Sequence, residues 1–195
     1  MKAEHTLPDG YEQIDSINLQ KDKKMALLVN LLGLVIMVAL VVPMCFAVPI
    51  HHLFDISLGM EAYWLRFGAL IVLAVVYLVL HELVHGIAMK LCGTKKVKYG
   101  LTGMYAYAGS SDYYYKKPYI FIALAPVVLW GVVLAIVNIF VPVQWFWVIY
   151  MIQVMNLSGA AGDLVVTARF SKMPADILVQ DCGVGMTVYS RQPNK

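Results

Sequence analysis

The sequence predicts an all-α polytopic membrane protein: a four-transmembrane-helix bundle with a short β-hairpin or re-entrant segment after the second helix. Three observations carry this reading. The 195-residue chain is 61% hydrophobic and only 14% charged, whereas an average soluble domain is about half apolar and about a quarter charged. The apolar surplus is gathered into four runs, and a run of about 20 apolar residues crosses a bilayer. The lysines fall in alternate connections between those runs. The runs are read as helices because an open strand cannot satisfy its backbone in lipid.

Residues 1–24 form a polar leader, with Pro8-Asp9-Gly10 as a turn signal. The first span runs from Met25 to Ile50 and is interrupted by Pro43. The connection that follows, Pro49 to Phe54, is apolar enough to lie at the interface, and His51-His52 reads as an interfacial pair. Tyr63, Trp64 and Arg66 are interfacial anchors where the second span begins. That span runs from Ala62 to about Cys92, and Gly93 stops it. Val97 to Ala108 alternates loosely between aromatic, apolar and glycine residues and reads as one or two short strands or a re-entrant hairpin. Tyr113-Tyr114-Tyr115 reads as an aromatic belt. The third span, Pro118 to Val141, carries Pro126, so kinks are expected there and at Pro43. The fourth runs from Gln144 to about Ala168. In the tail, Ile177-Leu178-Val179 and Thr187-Val188-Tyr189 could each be a short strand. The organisation is therefore a leader (1–24), a membrane core (25–168) and a tail (169–195).

A net charge of +3 is too small to suggest nucleic acid. Its placement is informative. Lys90, Lys95, Lys96, Lys98, Lys116 and Lys117 lie between the second and third spans, Lys21, Lys23 and Lys24 precede the first, and Arg169, Lys172, Arg191 and Lys195 follow the fourth. The other two connections lack Lys and Arg. Basic loops stay in the cytoplasm, so a multi-pass protein of the cell membrane with both termini cytoplasmic is expected. The first apolar run is too long for a signal-peptide core and reads as a retained anchor. Cys45, Cys92 and Cys182 form no CxxC and no even set, so free thiols are expected.

Chemistry is declared at His81-Glu82-Leu83-Val84-His85. Positions i and i+4 share one helix face, so two imidazoles can hold a single zinc ion, with Glu82 placed to take a proton from a metal-bound water. Ionisable groups inside a membrane span are costly and mark function. A catalytic zinc needs a third protein ligand. His51 and His52 fall on the opposite side, roughly 30 Å away along the second helix. Asp163 is the only carboxylate in the third and fourth spans, at the depth where the second span also ends. Asn156 precedes it by close to two turns of one helix and could donate to a developing oxyanion. The plainer alternatives pair Asp163 with Arg169 or Lys172 and have Asn156 bond a neighbouring helix.

H-E-L-V-H at the inner end of a membrane helix, with Asn156 and Asp163 far downstream, resembles the site-2 protease family of intramembrane zinc proteases. It resembles more closely a group of small bacterial integral-membrane proteins described as zincin peptidases. Leu164 stands where a glycine commonly follows the aspartate, and Gly159 where a proline is typical. The resemblance implies one Zn²⁺ held by His81, His85 and Asp163, with Glu82 as general base and acid and Asn156 as transition-state stabiliser. It further implies hydrolysis of peptide bonds in membrane-associated proteins at or near the inner leaflet. The partners would be the lipid bilayer and a membrane-associated peptide or protein. Other readings of the same ligands are a non-catalytic metal transporter or sensor, and a peptide-binding scaffold.

Overall fold

A computed structural model of the chain describes residues 3–18, 21–102 and 106–191. Four helical segments are long and apolar enough to cross a membrane: Lys23–Ala47, Met60–Leu91, Lys116–Phe140 and Val143–Ser171. This is a membrane protein. The first helix, α1 (Lys23–Ala47), begins where the Asp22 carboxylate accepts from the backbone N–H groups of Lys24 and Met25, both at 3.0 Å, which satisfies two of the donors a helix start leaves open. It has no buried residue; Leu27 and Phe46 are 68% and 87% exposed, as a lipid-facing surface requires. A 3-10 turn over Ile50–Phe54 leads to α2 (Met60–Leu91), which ends at Gly93 with a φ of 102°.

Two strands follow, β2 (Lys98–Leu101) and β3 (Ala106–Gly109), paired antiparallel with Lys98 opposite Gly109. This is the hairpin expected after the second span; Gly103, Met104 and Tyr105 of the expected segment lie outside the described residues. Next come β4 (Tyr113–Tyr115), α3 (Lys116–Phe140), α4 (Val143–Gly159), α5 (Ala161–Ser171), β5 (Leu178–Asp181) and β6 (Met186–Ser190). Pro43 and Pro126 both sit inside continuous helices.

The protein is not all-α. A leader strand, β1 (Glu12–Ile17), joins an antiparallel sheet in the order β1-β6-β5-β4. Both expected tail strands are present, and they draw leader, tail and the loop before α3 together at one end of the bundle. The four-span count requires the same arrangement, since an even number of crossings returns the chain to its starting side. Short strands with weak alternation gain stability here from a shared apolar face. Tyr114, Phe170, Ile177, Val179 and Val188 are all 0% exposed and pack with Tyr119, Ile122 and Met89 at the helix ends. A second cluster at the other end centres on Trp147, Val148 and Tyr150. There the Trp147 indole donates to the Val48 carbonyl at 3.2 Å and the Tyr150 hydroxyl to the Leu40 carbonyl at 3.0 Å.

Three expectations are corrected. The fourth span is two helices, broken at Ala160, so Asn156 and Asp163 stand on different helices rather than one face. Tyr114 is not a belt residue: its hydroxyl sits between Thr94 Oγ1 (2.5 Å) and Ser110 Oγ (2.6 Å) inside the core. Arg66 is no surface anchor, being 1% exposed with its guanidinium donating to the Asp55 carbonyl; Trp64 is 64% exposed. Cys45, Cys92 and Cys182 are free thiols.

Candidate metal centre

The site begins with α2. His81 and His85 are one turn apart, their ring centroids 4.9 Å from each other. The ligand atoms of His81, Glu82 and His85 all lie within 4.8 Å of one another. The break at Ala160 then matters, because it restarts the helix and puts Asp163 in the first turn of α5. A helix N-terminus favours a carboxylate. Asp163 Oδ2 lies 3.6 Å from His81 Nε2 and 3.6 Å from His85 Nε2. Arg169, the alternative partner for Asp163, instead pairs with Asp15 of β1 at 2.6 Å.

These separations test the fit of a metal. At 3.6 Å the carboxylate is too far from either ring for a good hydrogen bond. Donors placed about 2.0–2.2 Å from a tetrahedral ion stand about 3.3–3.5 Å apart. Asp163 thus stands close to ligand-to-ligand spacing from both rings, and two imidazoles with one carboxylate are a donor set that zinc takes in catalytic sites. The histidine side chains are 12% exposed and that of Asp163 20%, so the centre is sheltered yet reachable.

Both rings are oriented from behind. His85 Nδ1–H donates to the Ile122 carbonyl at 3.0 Å. His81 Nδ1 lies 2.8 Å from the Tyr77 hydroxyl, which is 2.9 Å from Asn156 Oδ1; Asn156 Nδ2 donates to the Val127 carbonyl at 3.1 Å. The direction of this chain follows from its last member. A carbonyl only accepts, so the Asn156 nitrogen must face Val127 and its oxygen must face Tyr77. Tyr77 then gives its one proton to Asn156 and accepts from His81 Nδ1–H. Nε2 of each ring is left with a lone pair toward Asp163, the arrangement that metal-ligating histidines take.

Asn156, expected to reach a substrate oxyanion, is 0% exposed with both ends of its amide engaged inside the bundle. It occupies the interhelical position that was the alternative reading. Tyr77 was missed altogether. Its signal was present, since it stands four residues before His81 and so on the same face.

The hairpin closes one side of the site. The Ala108 backbone of β3 faces the Glu82 carboxylate. The Tyr99 hydroxyl of β2 rests on Gly86, next to His85, where any Cβ would overlap it. Gly86→Ala therefore pushes the hairpin off α2, an overpacking that costs about 1–3 kcal/mol. Thermal denaturation should show the loss, and Tyr99→Ala in the same chain should recover it. Behind α3, buried Asp181 of β5 accepts from the Tyr119 hydroxyl at 2.7 Å and the Gly183 N–H at 2.8 Å; burial pushes its carboxyl above the usual range against those two bonds.

Residues 73–178 match the family described as "Putative zincin peptidase". The chain belongs to that family. The match covers more than half of the chain and includes His81, Glu82, His85 and Asp163. The family's description points to a metallopeptidase with zinc as its ion. The chain is also 30% identical over 143 residues to an uncharacterized 24.7 kDa protein of Pyrococcus woesei. That alignment takes in 71% of this chain and 62% of the relative, so the chain spans under two thirds of the protein it matches. No solved structure matches.

Proposed function

We propose that this zincin peptidase is a membrane-embedded zinc endopeptidase that cuts membrane-associated proteins at or near the inner leaflet. The observation that carries the reading is that one Asp163 oxygen of α5 lies 3.6 Å from the Nε2 atoms of both His81 and His85 of α2. When bound, one zinc ion supplies Lewis acidity to a water and to the scissile carbonyl. Glu82 takes the water proton as the C–O bond forms, then delivers it to the amine nitrogen as the C–N bond breaks. His81, His85 and Asp163 are the metal ligands. Asp163 would lower the net charge of the ion, and its place in the first turn of α5 is one where a helix favours an anion.

Depth supports the location. From Trp64 at one interface to His81 is seventeen residues, about 26 Å of helix at 1.5 Å each, against about 30 Å of hydrocarbon. The lysine-rich end, with the sheet and both termini, is the cytoplasmic one by the basic-loop rule. A substrate helix must unwind to expose a peptide bond. Among the described residues β2 pairs only with β3, so its outer edge can take an extended substrate by backbone pairing.

The test is cleavage of a membrane-tethered peptide by the purified protein in bilayers. Activity should vanish with a zinc chelator and return with zinc. Metal flux across proteoliposomes without hydrolysis would favour a transporter, and peptide binding without hydrolysis a scaffold.

A further inference from the structure

The His85 contact has a cause in the sequence of α3. In a helix, the carbonyl of residue i accepts from the N–H of residue i+4. For Ile122 that residue is Pro126, which has no N–H and whose ring crowds the carbonyl one turn back. Pro126 lies inside α3 and is buried. The Ile122 carbonyl therefore has no helical donor, and a buried acceptor left alone is costly. His85 Nδ1–H fills that place at 3.0 Å.

We propose that Pro126 is a positioning residue of the metal centre: by removing one helical hydrogen bond it frees the Ile122 carbonyl to hold His85 as the Nδ1–H tautomer. This rests on His85 being a ligand, as argued under the proposed function. A neutral imidazole carries one proton, so fixing it on Nδ1 leaves Nε2 open toward Asp163. The same helix fixes the other ring from its next carbonyl but four, through Val127, Asn156 and Tyr77. Both tautomers are thus set by backbone oxygens of α3, whose positions side-chain rotation cannot alter. This role gives a reason for a proline at a buried helical position, where it is about 3 kcal/mol less favourable than alanine.

The experiment compares the full-length wild type, Pro126→Ala and Tyr77→Phe, labelled with ¹⁵N in the histidine rings, metal-free in alkaline buffer. In Pro126→Ala the new N–H at position 126 reclaims the Ile122 carbonyl. The His85 signal should shift from Nδ1–H toward Nε2–H while His81 stays unchanged. Tyr77→Phe should do the reverse. Zinc affinity, read by competition with a chelator, should fall about 10–100-fold in each variant, the range seen when a ligand histidine loses its outer partner. The metal-free melting temperature of Pro126→Ala should hold or rise, because alanine completes the helix.

An unchanged His85 tautomer in Pro126→Ala would overturn the proposal. So would a fall in metal-free stability that tracks the loss of affinity, because packing would then explain both. Failure of the underlying reading looks different: zinc would leave the ring signals of the wild type unmoved, while the tautomer change in Pro126→Ala persists.

Discussion

Glu82→Gln keeps its zinc and loses its turnover. The substitution preserves shape and leaves His81, His85 and Asp163 untouched, so metal content should remain at one ion per chain. What disappears is the acceptor for the water proton. General base catalysis contributes about 10²–10⁴-fold, and here the same carboxylate also returns the proton to the leaving amine, so the loss should reach the upper end of that range. The amide oxygen of glutamine can face the Ala108 backbone as the carboxylate does, which keeps the hairpin in place. Single-turnover cleavage of a tethered substrate, with zinc measured on the same sample, separates the two effects. Loss of both together would assign Glu82 to metal binding.

Asp163→Ala produces the opposite pattern, a folded protein that no longer holds zinc. The carboxylate is the only group that α5 offers to the pair of imidazoles. Outer partners of ligand side chains already cost 10–100-fold in affinity when removed, so loss of a direct ligand should exceed about 100-fold. Stability should respond weakly. Without metal, the carboxylate sits in a sheltered site 3.6 Å from either ring, too far for a good hydrogen bond, and burying a charge without such bonds is costly. Its replacement by a methyl group should leave the metal-free melting temperature unchanged or raised. The stabilisation that zinc gives the wild type should vanish, because ligand-linked stability requires binding.

The membrane core is legible in the sequence because it rests on strong, local signals. Four apolar runs fix four spans, and an i, i+4 pair of histidines fixes a helix face. Asp163 was found by depth: alternating lysines oriented the spans, and only one carboxylate then fell level with His81. The sheet is less legible, because strands of three to six residues draw their order from a shared core rather than from their own pattern. The break at Ala160 escaped because Gly159 and Gly162 permit a break without requiring one. Tyr114 and Arg66 were misplaced for one reason: aromatic and basic residues near a span end look alike whether they face lipid or turn inward. Tyr77 hid as one aromatic among aliphatic neighbours, and Asn156 took its partners from helices whose packing a linear reading does not supply. Pro126 was read as a kink, and its consequence for His85 required the second helix to be in place.

The ligand set is most directly measured by zinc K-edge X-ray absorption on the purified protein, wild type beside Asp163→Ala. Two imidazole nitrogens and a carboxylate oxygen should surround one zinc per chain at about 2.0–2.2 Å, with the zinc signal lost from the variant at equal protein concentration. A first shell containing sulfur, or a shell unchanged by Asp163→Ala, would contradict a centre built by α2 and α5.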